Sequence, residues 1–78
     1  MSKMIFDSVA FVATLKVWRK MHDLTLKDVS DLSQIAYSTL GFILSGDRVP
    51  SIAEFVHLCN VMDFDPKDFF RKAQRNDE

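Results

Sequence analysis

The sequence predicts an all-α fold. Apolar residues recur at three- and four-residue spacing in each segment between turn signals, and helix start and stop residues bracket those segments. No stretch shows the period-two alternation of a half-buried strand, and there is no internal repeat or low-complexity tract. The 78 residues leave room for one domain, 1–78. An apolar fraction of 47% beside 27% charged residues is ordinary for a folded chain and excludes wholesale disorder.

The first helix runs from about 7 to 21. Phe11, Leu15 and Trp18 make its core stripe. A second apolar stripe, Phe6, Ala10, Ala13, Val17 and Met21, has two readings: the chain ends pack on it, or a partner does. The stretch 24–46 reads as two short helices joined by a tight turn. Thr25 with Asp28 forms a capping box ahead of the apolar positions Leu26, Val29 and Leu32. Ser33-Gln34 interrupts the pattern, Ile35, Leu40 and Ile43 resume it, and Gly46 stops the helix. Two helices so close in sequence cross steeply and need a third surface to close their inner faces. After a loop at 47–50, Ser51 and Glu54 form a second capping box. It opens a helix to about 62 with Phe55, Leu58, Cys59 and Met62 inside. Asp65-Pro66 opens a last helix, Asp as N-cap and Pro at the first helical position, followed by Phe69 and Phe70. The tail 76–78 is expected to fray.

Catalysis needs a constellation of reactive groups, and the chain has none, so it is expected not to be an enzyme and to need no cofactor. His57 and Cys59 stand two apart on one helix and point to different faces, which excludes a shared metal. His22 stands alone at a helix end. The only two glycines, Gly41 and Gly46, make no phosphate loop. Cys59 is the single cysteine and lies on an apolar face, so it reads as an inert buried thiol in a reducing cytoplasm. No apolar run reaches membrane-spanning length, and Asp7, Thr14 and Lys16 break up the faint signal-peptide look of the start. The net charge of −1 does not favour nucleic acid until it is sorted by face. Asp63, Asp65, Asp68, Asp77 and Glu78 lie late, whereas Lys16, Lys20, Lys27 and Arg48 surround the two-helix stretch.

From about 11 to 70 the chain resembles the Cro and phage-repressor type of helix-turn-helix protein, which includes restriction-controller regulators. The resemblance is carried by Leu15-Lys16, Trp18-Arg19 and Leu24-Thr25, then the motif at about 25–46. It continues with Gly46-Asp47-Arg48-Val49-Pro50-Ser51, Phe55, Leu58, Met62 and the ending Asp65 to Phe70. It implies a compact five-helix repressor-like domain acting as a small homodimer on operator DNA. In such a fold the second motif helix enters the major groove. Here that helix starts near Ala36 and turns Tyr37, Ser38, Gly41, Phe42 and Ser45 outward. Tyr37, Ser38 and Phe42 are the expected base contacts, Phe42 through a thymine methyl. Lys27, Thr39, Arg48 and Ser51 are the expected phosphate contacts, with Lys16 and Lys20 adding to the field. Val61, Phe64 and Phe70 are the expected dimer interface.

The chain departs from the family pattern in four places. Leu26 stands where the family commonly has a phosphate-binding Gln. Leu44 replaces a Glu that usually pairs with the first-helix Arg, which leaves Arg19 to Asp47, Glu54 or a phosphate. Gln34 occupies the turn position usually held by Gly. The reading helix carries no Arg, Lys, Gln or Asn, so no bidentate base contact comes from it. These departures leave a second reading open, in which the fold serves protein contact through Phe42 and Leu44, as an anti-repressor or antitoxin-like partner.

Overall fold

A computed structural model of the chain describes residues 4–72. In chain order it contains strand β1 (Met4–Phe6), helices α1 (Ser8–Met21), α2 (Leu26–Ser33), α3 (Tyr37–Ser45) and α4 (Ile52–Met62), a 3-10 turn (Pro66–Phe69) and strand β2 (Phe70–Lys72). The expected tail at 76–78 lies outside the described residues.

Every helix except α3, whose N-cap is Ala36, begins where its orphan N–H groups find a carboxylate or hydroxyl. Asp7 Oδ1 accepts from the Ala10 N–H at 2.9 Å and caps α1. In α2 the Asp28 N–H donates to Thr25 Oγ1 at 3.1 Å and the Thr25 N–H donates to Asp28 Oδ2 at 2.8 Å, so both halves of the capping box are made. Ser51 and Glu54 repeat this at α4, at 3.2 and 2.9 Å. Asp65 caps the 3-10 turn through the Lys67 N–H. Gly46, at φ 85°, ends α3 in the left-handed region where glycine carries no penalty.

One core joins all of these elements. Phe11 and Leu15 of α1, Val29 of α2, Ile35, Leu40, Phe55, Leu58, Cys59, Met62 and Phe69 are buried together. Ile43 is fully buried as well. Aromatic rings dominate one end, where Phe11, Phe55 and Phe69 meet edge to face at 5.0 to 6.0 Å. Burial and the nearby Asp65 and Asp68 push the Cys59 thiol up to about 11, so it stays protonated and inert at neutral pH.

The helical architecture holds, but the fifth helix is only a single 3-10 turn. Phe70 leaves it in extended conformation, φ −113° and ψ 138°. The chain then pairs antiparallel with β1, Met4 opposite Lys72, Ile5 opposite Arg71 and Phe6 opposite Phe70. The pairing continues as the Asp7 N–H donates to the Phe69 carbonyl at 2.7 Å. Arg71 Nε also donates to Asp7 Oδ2. The reason for the ribbon is aromatic: extension lets the Phe70 ring lie 5.6 Å from Phe6 and 5.9 Å from Phe55, closing the core from below. It also divides the second apolar stripe of α1. Phe6 lies in β1 and not on α1, with its ring against Phe11, Phe55 and Phe70, and Ala10 is half-buried, whereas Ala13, Val17 and Met21 remain exposed.

Candidate nucleic-acid interface

The turn between α2 and α3 sets the direction of the outer helix. Gln34 takes the left-handed conformation, φ 60° and ψ 24°, as expected of a position where the family has Gly. Two serines hold the turn. Ser33, 2% exposed, donates to the Val29 carbonyl at 2.7 Å and accepts from the Ile35 N–H at 3.3 Å. Ser30 Oγ donates across the turn to the Ile35 carbonyl at 2.5 Å. The Gln34 N–H and both main-chain polar groups of Ile35 thus have partners within the bend, which braces the angle between α2 and α3. In the sequence alone, Ser33 is only a break in the apolar pattern.

With the buried side of α3 fixed by Leu40 and Ile43, the opposite side faces solvent. Tyr37 and Phe42 are 58% and 54% exposed, and Ser38 is exposed between them. A Cβ added at Gly41 meets nothing within 4 Å, so the helix backbone is open to close approach there. Ser45 Oγ donates to the Phe42 carbonyl at 3.0 Å and lies 3.1 Å from Asp47 Oδ2, which occupies Ser45 and Asp47 with each other. Thr39 is half-buried at the side of the helix.

The expected phosphate ligands border this face on separate elements. Lys27 is exposed in the first turn of α2, and Arg48 and Ser51 lie in the loop that follows α3. Ser51 Oγ accepts from the Glu54 N–H, which leaves its own proton free to donate. Arg48 Nη2 lies 3.3 Å from Glu54 Oε1. The Glu54 carboxyl is held below its usual range first by the Ser51 N–H, with the Arg48 charge adding to this against partial burial.

Two departures from the family pattern resolve into packing. Leu26 is half-buried against the core instead of reaching outward. Arg19 takes neither Asp47 nor Glu54. Its Nη1 donates to the Leu24 carbonyl at 3.1 Å and ties the α1–α2 loop, while its Nε is buried without a partner. Arg48 takes Glu54 because the capping box already fixes that carboxylate beside the loop. Leu44 is also half-buried against the core, so Phe42 alone of the pair suggested for protein contact stands out in solvent. Of the expected dimer residues, Phe64 is 39% exposed and Val61 half-buried, but Phe70 belongs to the aromatic end of the core. Among the described residues no three His, Cys, Asp or Glu side chains converge as a metal site, and no helix is long and apolar enough to cross a membrane.

A helix-turn-helix with a braced turn, its second helix bare on the outer side and cations at its borders, defines a DNA-binding regulator. The chain belongs to the Helix-turn-helix family, whose model matches residues 15–69. Its fold is similar to that of the restriction-modification controller protein C.AhdI from Aeromonas hydrophila. The two superpose with a TM-score of 0.70 at 26% identity, over 82% of this chain and 97% of the other. Comparison with curated protein sequences gives no match.

Proposed function

We propose that the chain is a repressor-like transcriptional regulator that binds operator DNA as a small homodimer, without a cofactor. The observation that carries this reading is the outer side of α3: Tyr37, Ser38 and Phe42 exposed in a row on a helix whose direction is fixed by the Ser30 and Ser33 hydrogen bonds. In this reading α3 lies in the major groove. Ser38 and the Tyr37 hydroxyl meet base edges, Phe42 meets a thymine methyl, and Lys27, Arg48, Ser51 and Thr39 meet phosphates. The likeness to a restriction-modification controller protein supports a regulator of the same general kind.

The test is selection of bound sequences from random duplex DNA. A palindromic consensus with half-sites about one helical turn apart is the expected result, since operator symmetry mirrors that of a dimer. A protein that binds no duplex better than bulk DNA at low salt refutes the operator reading.

A further inference from the structure

The side of α1 turned away from the core is unusual for a solvated helix. Val9, Ala13, Val17 and Met21 follow one another at four-residue spacing, and Val9, Val17 and Met21 are 79%, 57% and 78% exposed. Together they form an apolar ridge inclined to the helix axis. Along one flank of the ridge stand Lys16 and Lys20, both exposed and without an ion pair among the described residues. Along the other flank runs an apolar groove between α1 and the end of α4, with Trp18 and Met62 in it and Phe64 as its far wall. Asp63 and Asp65 adjoin Phe64 in the chain on either side and are exposed. The cations thus stand on one side of the ridge, and the groove lies on the other, its far wall Phe64 having an aspartate as each chain neighbour.

We propose that this face is the surface on which a second copy of the chain docks, an inference that rests on the homodimer reading above and locates its interface. A two-fold axis lying in the face along α1 reverses the order from one copy to the other. Each ridge then enters the other's groove, and Lys16 and Lys20 meet the other copy's acidic flank. A patch that carries both a ridge and its complement, with opposite charges at its two borders, is self-complementary in the way an isologous interface requires. An identical face turned the other way, with the helices antiparallel, sets lysine against lysine. The interface so placed retains Phe64 from the sequence expectation and replaces Val61 and Phe70 with Val17, Met21 and Lys20.

The test is sedimentation equilibrium of the full chain from micromolar to millimolar concentration, with helical content followed by circular dichroism. The wild type is expected to dimerise. Val17→Glu should raise the dissociation constant about a hundredfold, because it buries a charge against Trp18 and Phe64 of the other copy. Lys20→Glu alone should raise it about tenfold, and adding Asp63→Lys to the same chain should restore much of the loss. Leu32→Glu, at an exposed apolar position on α2, should leave the dimer unchanged. Val17→Glu that dimerises like the wild type overturns the location and leaves the homodimer reading standing. Failure of the double charge reversal to recover overturns the two-fold pairing. A wild type that stays monomeric to millimolar concentration overturns both.

Discussion

Arg48 cannot contact a phosphate at full strength while it neutralises Glu54, so Glu54→Gln should tighten DNA binding. The side chains of the pair are 44% and 21% exposed, and the closest nitrogen and oxygen are 3.3 Å apart. Solvent screening at that exposure limits the interaction to about 0.5 kcal/mol per subunit. For a dimer the gain is about 1 kcal/mol, or roughly fivefold in affinity. The substitution spares the fold, because a glutamine oxygen can accept the Ser51 N–H as the carboxylate does at 2.9 Å. Four cations, Lys27 and Arg48 from each of two subunits, give a log-log salt slope of about −3.6, and Arg48→Ala should halve it. The assay is fluorescence anisotropy on the selected duplex across a salt series, run for both single variants and the double variant. In the double variant the Glu54→Gln gain should disappear, since the cation it releases is no longer present. Unchanged or weakened binding by a folded Glu54→Gln chain refutes the assignment of Arg48 to phosphate.

Gln34→Gly should raise the melting temperature, because it relieves about 1 kcal/mol of left-handed strain at φ 60°; this corresponds to about 5 °C in a domain this size, and a clear drop in a calorimetric melt counts against strain at the turn. Gly41→Ala should stabilise α3 by up to about 1 kcal/mol, as an added Cβ meets nothing there, and yet weaken DNA binding by filling the open side; a melt and an anisotropy titration on one sample separate the two effects. Ser38→Ala and Tyr37→Phe should lower affinity for the selected duplex more than for random DNA, whereas Lys27→Ala should lower both alike in competition binding. The Asp28 carboxyl is lowered first by its hydrogen bond from the Thr25 N–H, so its contribution to stability is full above the ordinary carboxylate value and is lost as the pH falls through the lowered folded value; Asp28→Asn should flatten the acid limb of melting temperature against pH, and an unchanged limb counts against the capping box as its source.

What the sequence made legible is what neighbours in the chain decide. Both capping boxes lie within four residues, so Thr25 with Asp28 and Ser51 with Glu54 marked their helices correctly. The left-handed turn at Gln34 followed from its place in the motif. The terminal ribbon was not legible, because β1 and β2 are three residues each and pair across nearly the whole chain. Both also lie outside the span matched to the family, residues 15–69. A period-two signal needs four or more residues to show itself. The Ser30 and Ser33 bonds were hidden for a different reason: each is decided by where a main-chain group falls once the bend has formed. The partner of Arg19 was open in the sequence because a long basic side chain reaches several acceptors, and the one it takes, the Leu24 carbonyl, is a main-chain group that no residue pattern marks. Arg48, expected at a phosphate, lies instead beside Glu54, whose carboxylate the capping box holds next to the loop.

The net charge of −1 is compatible with DNA binding once the carboxylates held by the backbone or by Ser45 are set apart from the 11 in the chain. Asp7, Asp28, Glu54 and Asp65 accept N–H bonds at the starts of helices, where the backbone presents partial positive charge, and Asp47 lies against Ser45. At physiological ionic strength a charge acts over about 8 Å, so the borders of α3 matter to a phosphate and the acidic end of α4 does not. Even so, Lys27 and a partly neutralised Arg48 give one subunit a salt slope of about −1.8, which is weak electrostatic support for a reading helix without bidentate side chains. Two copies double both the phosphate contacts and the bases read. In the proposed function, the sparse face of α3 therefore makes the pair a requirement: two copies supply what one reading helix lacks in order to bind an operator.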